Sequence, residues 1–278
     1  MLDILVAVLF GLVEGITEWL PVSSTGHMIL LEEFISFKGV SEGFFSMFDV
    51  VIQLGAIMAV VVLYWNKIFP FKITKKHAIK IEADKDIFSM WFKILVACVP
   101  AAVIGILFDD ILEEYLYNGY VVAAMLVLFG IAFLVVENWN KGRTYKINTL
   151  AELTYQTAAI IGVFQLIAAI FPGTSRSGAT IVGALLIGVS RTVAAEFTFF
   201  LAIPVMFGAS LLKILKFGLT FTGLELAVLL VGMAVAFVVS MLVIKFLMAY
   251  IKKHDFKVFG WYRIILGTIV LAYFLMFR

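Results

Sequence analysis

The sequence has few charged residues and a single cysteine. Lys, Arg, Asp and Glu make up only 14% of its 278 residues, whereas 63% are hydrophobic, and this balance excludes an ordinary soluble domain. Because Cys98 has no second cysteine to pair with, an intrachain disulfide is excluded and a cysteine metal cluster is not favoured. The net charge is +2, and the lysines lie in loops rather than on one basic face, so nothing indicates a nucleic-acid partner.

The N-terminal segment also lacks the features of a cleaved signal peptide. Its first 20 residues include Asp3 but no Lys or Arg, and no A-x-A-like cleavage site follows them. Glu14 and Glu18 interrupt the apolar run. We therefore interpret this segment as part of the membrane domain.

Apolar runs of about 20 residues recur along the chain, and each can cross about 30 Å of hydrocarbon. The sequence therefore predicts an all-α polytopic membrane protein. The predicted full spans number six and lie at about 44–65, 87–108, 117–137, 192–216, 222–250 and 258–277.

Two further apolar runs, 27–37 and 179–188, are too short to span a bilayer at about 1.5 Å rise per residue. Each follows a break at a proline, Pro21 or Pro172. We pair each run with the longer one before it, which gives two re-entrant helical hairpins, at 2–37 and 153–188.

The connectivity then predicts an inverted-topology repeat. A hairpin returns to its own side and three spans switch sides, so the second half starts from the opposite face. We expect one integral membrane domain, 1–278, made of a first repeat, 1–140, and a second repeat, 150–278. Small residues in the spans permit close helix packing and a homodimer.

Loop charges predict the orientation in the membrane. Three loops on one side of the six-span topology are basic, and the positive-inside rule makes that side cytoplasmic. Both termini and the mouth of the first hairpin then face outward. The basic residues are Lys67, Lys72, Lys75, Lys76, Lys80 and Lys85, then Lys141, Arg143 and Lys146, and finally Lys252, Lys253 and Lys257; the opposite side has Asp109, Asp110, Glu113 and Glu114.

Glu14 and Glu18 lie before the first proline break and, four residues apart, share one helix face. An acidic residue at mid-membrane costs about 2.5–3.5 kcal/mol on the insertion scale, a cost usually retained for function. The carboxylates are candidates for a general base, for ligands of a divalent cation such as Mg²⁺ or Ca²⁺, or for both. A polar contact between helices is the alternative.

Hydroxyl residues and a histidine follow the first break directly. Ser23, Ser24 and Thr25, with backbone N–H groups at the start of the next helix, predict an anion site. The alternative is simple N-capping, for which one hydroxyl is enough. His27 lies three residues after Ser24 and is a candidate acid–base partner or nucleophile, although a lone histidine is often structural.

The second break contains Arg176, whose planar guanidinium suits bidentate phosphate binding; a pairing with a buried Glu is compatible with this in an empty site. Polar residues in apolar surroundings are candidates either for supporting the site or for packing between helices: Gln53, Gln165 and Glu196. The other phosphate-binding candidates at this break are Gly173, Thr174, Ser175, Ser177 and Thr180.

Together the two breaks predict a site for a phosphate or diphosphate head group, with apolar walls for a lipid tail and without an organic cofactor. A transporter or lipid flippase is the main alternative, because inverted hairpins are common in transporters. The concentration of His27 and paired carboxylates favours catalysis.

At these residues the sequence resembles the bacterial undecaprenyl-diphosphate phosphatase family of the bacitracin-resistance type. Glu14 and Glu18 match its (E/Q)xxxE motif, Ser23 to His27 match the adjoining serine–histidine stretch, and PGTSRSGAT (172–180) matches its PGxSRSxxT motif. The resemblance implies hydrolysis of the C55 isoprenyl diphosphate to the monophosphate, which recycles the carrier lipid for cell-wall synthesis. It also implies a plasma-membrane enzyme with an outward-facing site and divalent-cation dependence.

The residues leave three mechanisms open. Ser24 attacks the terminal phosphorus while His27 or a glutamate takes its proton, His27 is itself the nucleophile, or water attacks directly with Glu18 as base. In each of them Arg176 holds the diphosphate and offsets charge in the transition state.

Overall fold

The computed structural model describes residues 1–74 and 80–277. Lys75, Lys76 and His77 of the first basic loop lie outside the described residues. At positions 72–74, 80, 81, 109, 110, 113 and 277 the backbone alone is described, so the side chains of several predicted loop charges also fall outside.

The apolar runs of the sequence form α-helices throughout the described chain. A short antiparallel pair of strands, β1 (Phe71–Thr74) and β2 (Lys80–Ala83), interrupts them in the first basic loop. The helices are α1 (Leu2–Thr17), α2 (Ser24–Glu32), α3 (Phe44–Val51), α4 (Gln53–Leu63), α5 (Trp65–Ile68), α6 (Lys85–Leu116), α7 (Gly119–Asn140), α8 (Tyr155–Ile170), α9 (Arg176–Leu186), α10 (Arg191–Phe217), α11 (Gly223–Ile251) and α12 (Lys257–Phe277).

Six segments of the described chain are long and apolar enough to cross a membrane, with mean hydropathies from 1.7 to 2.9. The first, Phe44–Leu63, joins α3 and α4 across Ile52, and the others lie in α6, α7, α10, α11 and α12. The prediction of an all-α, multi-pass membrane protein with six candidate spans is confirmed. The β1–β2 pair was not predicted, and it lies between spans, so it leaves this class unchanged.

The two short helices begin earlier than hydrophobicity alone predicts. Helix α2 begins at Ser24, not at residue 27, and α9 begins at Arg176, not at residue 179. The reason is capping. Ser23 Oγ accepts from the Gly26 N–H at 3.3 Å, and the corresponding Ser175 Oγ accepts from the Gly178 N–H at 3.1 Å. Because the first turn of each helix is polar, the apolar run begins later in the sequence than the helix itself.

The longer helix before each proline break packs on a helix of the other half of the chain. Helix α1 packs on α11 and α8 packs on α6, while α7 and α12 pack on each other. Glycines permit this close approach: a Cβ at Gly11 would lie 2.7 Å from the carbonyl oxygen of Gly232, and one at Gly162 would lie 2.6 Å from that of Ala97.

Polar contacts hold the open end of the first helix pair, α1 and α2, which is the end away from the proline break. The Lys38 N–H donates to Asp3 Oδ1 at 2.8 Å, and the Ser41 N–H donates to Glu225 Oε1 at 2.8 Å. Glu225 also completes a capping box with Thr222 at the start of α11. The loop after α2 is therefore fixed to the first turns of both α1 and α11.

The open end of the second pair, α8 and α9, is held at the C-terminal end of α7. Arg191 at the start of α10 forms a bidentate contact with Glu137, whose Oε1 also accepts from the Phe256 N–H at 2.9 Å. Asn140 Nδ2 donates to the carbonyl of Leu185 at 3.0 Å. The open end of α1 and α2 is thus held at the starts of α1 and α11, whereas that of α8 and α9 is held at the end of α7.

The close contact between α4 and α11 generates a stability prediction. A Cβ at Gly55 would lie 2.1 Å from the carbonyl oxygen of Met233, whereas one at Gly208 would meet nothing within 4 Å. Gly55→Ala should lower the free energy of unfolding by about 1–3 kcal/mol through overpacking. Gly208→Ala is the matched control and should be neutral or slightly stabilising. Thermal unfolding in detergent measures both, and equal effects would contradict the packing described.

Candidate active site

The two proline-containing breaks contact each other inside the protein. Arg176 Nη2, at the start of α9, lies 2.8 Å from Glu18 Oε1, which follows α1. Ser177 Oγ donates to the backbone carbonyl of Glu18 at 3.2 Å. An acidic side chain from the first break therefore faces a guanidinium from the second.

Glu18 also binds the hydroxyl of the first break. Ser24 Oγ donates to Glu18 Oε2 at 2.5 Å, so the carboxylate bridges Ser24 and Arg176. Only 5% of Glu18 and 7% of Ser24 is exposed. The arrangement places a hydroxyl beside a proton acceptor and a fixed positive charge, which are the elements of phosphoryl transfer to an activated nucleophile.

A cavity of about 110 Å³ opens onto this contact. It brings together six residues that were predicted from the sequence and three that were not, which lie on α10 just after Pro204. The missed residues are apolar, so their composition does not distinguish them from the rest of the span. The lining consists of Glu18, Ser24, Thr25, Gln53, Ser175 and Arg176, with Val205, Met206 and Ala209.

A larger cavity, of about 450 Å³, lies near the open end of α1 and α2. Its lining includes Glu32 and Glu42 but neither Lys nor Arg. Carboxylates without a compensating cation repel a phosphate, so the smaller cavity at Arg176 is the better candidate for an anionic head group.

The guanidinium of Arg176 is oriented by α10. Its Nη1 donates to the carbonyl oxygen of Thr198 at 3.0 Å, and the Thr198 hydroxyl lies 2.9 Å from the hydroxyl of Thr180. Two of its nitrogens are therefore fixed, one by a carbonyl and one by a carboxylate. Such a fixed orientation suits a group that must meet a phosphate in one geometry.

Glu14 lies one turn before Glu18 and is fully buried, and neither of its carboxylate oxygens has a hydrogen-bond partner. Asp49 on α3 was not predicted as a site residue, and its Oδ1 is also buried without a hydrogen-bond partner. A buried carboxylate without a donor requires a proton or a cation. Within residues 1–74 and 80–277, however, no group of three or more His, Cys, Asp or Glu side chains is arranged to hold a metal ion. Glu14 and Glu18 would therefore supply only part of the ligands of a divalent cation.

Several predicted phosphate-binding residues do not line the cavity and instead stabilise the backbone of the two breaks. Ser23 caps α2, Ser177 binds the Glu18 carbonyl, and the Thr180 hydroxyl donates to the Arg176 carbonyl at 2.9 Å. Thr174 is fully buried, and Gly173 has a φ of +85°, a conformation that favours glycine.

Two of the three polar residues predicted to support the site contact other elements. Gln165 Nε2 donates to the carbonyl of Ala97 at 3.2 Å, which joins α8 to α6. Glu196 accepts two bonds from Lys67 Nζ, at 2.8 and 2.9 Å. Gln53 is the member of this set that lines the cavity.

His27 has partners of its own, away from the Ser24–Glu18–Arg176 contact. Its Nδ1–H donates to the carbonyl of Ser23 at 2.7 Å, so in the neutral imidazole Nε2 accepts from the Tyr262 hydroxyl, also at 2.7 Å. The two rings stack, with centroids 5.7 Å apart. Tyr262 on α12 was not predicted, because nothing in a single sequence links it to residue 27.

Comparison with known proteins identifies the family. The sequence model of the family described as bacitracin resistance protein BacA matches residues 7–269. The chain belongs to this family. An undecaprenyl-diphosphatase of Desulfitobacterium hafniense is 65% identical over 274 residues, which cover 99% of this chain and 97% of the relative.

Two further relatives of this chain have similar names and coverage. An undecaprenyl-diphosphatase of Enterococcus faecalis is 63% identical over 270 residues, covering 97% of this chain and 96% of the relative. Undecaprenyl-diphosphatase 1 of Clostridium acetobutylicum is 62% identical over 275 residues, covering 99% and 98%. The family resemblance read from the two motifs is confirmed.

The contact between Glu18 and Arg176 generates a prediction about coupling. Their side chains are 6% and 13% exposed, so removal of either partner leaves a buried charge and should cost about 3–5 kcal/mol. In a double-mutant cycle with Glu18→Gln and Arg176→Met, we expect a coupling free energy above about 1 kcal/mol.

The matched control is the cycle of Glu196→Gln with Lys67→Met, because the Lys67 side chain is 50% exposed. Its coupling should stay below about 1 kcal/mol. Free energies of unfolding in detergent give both values, and a coupling no larger at Glu18–Arg176 than at Lys67–Glu196 would contradict the prediction.

Proposed function

We propose that this chain hydrolyses undecaprenyl diphosphate to undecaprenyl phosphate and inorganic phosphate, and so confers bacitracin resistance. Membership of the BacA family and three relatives named undecaprenyl-diphosphatase support this function. The observation that carries it is the bridge from Ser24 through Glu18 to Arg176 at a small cavity. The product is the carrier lipid of cell-wall synthesis, and the enzyme recycles it.

Ser24 is the nucleophile in the mechanism that we favour. Its Oγ forms a bond with the terminal phosphorus while the bond from that phosphorus to the bridging oxygen breaks, and undecaprenyl phosphate leaves. Glu18 accepts the hydroxyl proton, since its Oε2 already accepts from Ser24 Oγ at 2.5 Å.

Water completes the reaction. It attacks the phosphorus of the phosphoserine, the Oγ–P bond breaks, and Glu18 returns its proton to Ser24 Oγ. Inorganic phosphate leaves with the hydroxyl of the water, whose other proton passes to solvent. Arg176 offsets the negative charge of the diphosphate and of the transition state. In the empty site the same guanidinium offsets the charge of Glu18.

The geometry favours Glu18 over His27 as the base for Ser24, because both ring nitrogens of His27 are occupied by Ser23 and Tyr262. Attack by His27, or by water with Glu18 as base, would need no phosphate on Ser24. Trapping a phosphoenzyme and locating its phosphate therefore separates the three mechanisms: the phosphate would lie on Ser24, on His27, or on neither residue.

We also propose that a divalent cation, Mg²⁺ or Ca²⁺, accompanies the substrate. Glu14, with two buried oxygens that lack donors, and Glu18 would hold it. A cation there would neutralise part of the diphosphate charge. In the assay below, EDTA should lower phosphate release and added Mg²⁺ or Ca²⁺ should restore it; full activity in EDTA would remove the cation from the proposal.

The topology that we propose is an inverted repeat, 1–140 and 150–278, with each proline break at the tip of a re-entrant hairpin. Two observations support it: the open end of α1–α2 lies at Glu225, and that of α8–α9 lies at Glu137. The tips then reach each other from opposite leaflets of the bacterial inner membrane. By the positive-inside rule, both termini and the mouth of the first hairpin face outward.

Activity measurements test the proposed function. Purified wild-type protein in detergent should release phosphate from undecaprenyl diphosphate without a transmembrane gradient. Glu18→Gln, Arg176→Ala and Ser24→Ala should each lower the rate by about 10²–10⁴, because each removes a group that acts on the reacting atoms. Arg191→Lys is the control, since Arg191 pairs with Glu137 away from the cavity.

Near-normal turnover of both Glu18→Gln and Arg176→Ala would eliminate this site. Near-normal turnover of Ser24→Ala alone would eliminate the serine nucleophile and leave the other two mechanisms. Absence of phosphate release by folded wild-type protein would contradict the function itself.

Labelling of single cysteines tests the orientation. In a Cys98→Ala background, Glu42→Cys near the mouth of the first hairpin should react with a membrane-impermeant maleimide in intact spheroplasts. Lys252→Cys, in the loop between α11 and α12, should react only after permeabilisation. Both positions are exposed on the protein surface, so their reaction with the maleimide depends on which side of the membrane they face. The reverse pattern would contradict the proposed orientation.

A further inference from the structure

Arg263 on α12 is a fully buried guanidinium outside the cavity, and the sequence reading did not single it out. Its acceptors are backbone carbonyl oxygens. Nη1 donates to Pro21 at 3.1 Å, and Nη2 donates to Gly173 at 2.9 Å and to Thr174 at 2.7 Å. Met125 on α7 supplies a further carbonyl at 3.5 Å. One side chain therefore binds both proline-containing breaks at once.

The backbone at these breaks requires such support. Ser23 and Ser175 have φ values of 77° and 69°, which are sterically unfavourable for a residue with a side chain. Strained conformations of this kind persist only where the surroundings fix them. Arg263 holds the carbonyl immediately before Ser175 and the carbonyl of Pro21, two residues before Ser23.

The contact with Thr174 also fixes the direction of an amide. The peptide bond between Thr174 and Ser175 is trans, so its C=O and N–H point in opposite directions. The C=O points to Arg263, and the N–H of Ser175 therefore points away from it. Ser175 lines the cavity beside Arg176.

We propose that Arg263 is a positioning residue that joins the two breaks and aims the Ser175 N–H at the phosphate of the substrate. Its charge polarises the Thr174–Ser175 peptide, which makes the N–H a stronger donor. Arg263 does not contact the substrate itself. The proposal rests on the proposed function of the same cavity, and it adds a third part of the chain, α12, to the two breaks.

The test compares Arg263→Lys with Arg191→Lys. A lysine at 263 keeps the positive charge but cannot span the carbonyls of both breaks. We expect kcat/KM for undecaprenyl diphosphate to fall about tenfold to a hundredfold, as for a small misplacement of binding groups. The Kd for inorganic pyrophosphate, obtained from its effect on thermal unfolding, should rise about tenfold. Arg191→Lys alters another arginine that is held by several hydrogen bonds, with a side chain that is 26% exposed and lies outside the cavity, and it should change neither value.

Gly178→Ala provides a second variant, in which residue 263 remains arginine. A Cβ at Gly178 would lie 3.0 Å from Arg263 Nη1 and 3.2 Å from Ser175 Cβ, so the guanidinium must shift away from the start of α9. We expect the same two losses in smaller measure. Gly208→Ala is its control, because a Cβ there meets nothing within 4 Å.

A purely structural Arg263 would lower the melting temperature of the free protein and leave kcat/KM and pyrophosphate binding within about twofold of wild type. That result in Arg263→Lys would overturn the proposal. If Arg263→Lys does not fold, Gly178→Ala decides, and wild-type values there would overturn it. Failure of the wild-type protein to release phosphate would contradict the proposed function, and pyrophosphate binding would still decide the role of Arg263.

Discussion

The structure depends on one ion pair between two interrupted helices. Glu18 and Arg176 lie far apart in sequence, and each would be costly alone in a membrane interior, by about 2.5–3.5 kcal/mol on the insertion scale. Together they offset each other at 2.8 Å. Because each charge stabilises the other, the ion pair favours the contact between the two breaks and the close packing of the helices that present them. Glycines at the helix contacts provide this closeness.

The same pair explains how a buried site can be ready for an anion. With the cavity empty, Glu18 neutralises Arg176 and accepts a hydrogen bond from the Ser24 hydroxyl. A diphosphate would compete with Glu18 for the guanidinium and thereby leave the carboxylate free to act on Ser24. Binding and activation are then one rearrangement of charges, and a neutral lipid would not produce it.

Much of the fold followed from hydrophobicity, whereas the site required geometry. Six apolar spans are recognisable because a bilayer imposes their length, and the two breaks are recognisable because prolines and hydroxyls interrupt apolar runs. Glu18, Ser24 and Arg176 stood out because polar groups are costly there. Sequence alone does not distinguish Thr180 and Ser177, which support the backbone, from Thr25 and Ser175, which line the cavity. All four are hydroxyl residues in the same short stretches. Tyr262 and Arg263 lie in an ordinary span, and only tertiary contacts connect them to His27 and the breaks.

The size of the cavity has a consequence for which lipids the proposed enzyme distinguishes. A volume of about 110 Å³ accommodates a phosphate group but not a chain of eleven isoprene units. The hydrocarbon would therefore stay among the bilayer lipids during turnover, and the cavity would bind only the polar end of the substrate. Shorter or longer polyprenyl diphosphates would then differ in how they partition and diffuse within the membrane rather than in how they fit the protein.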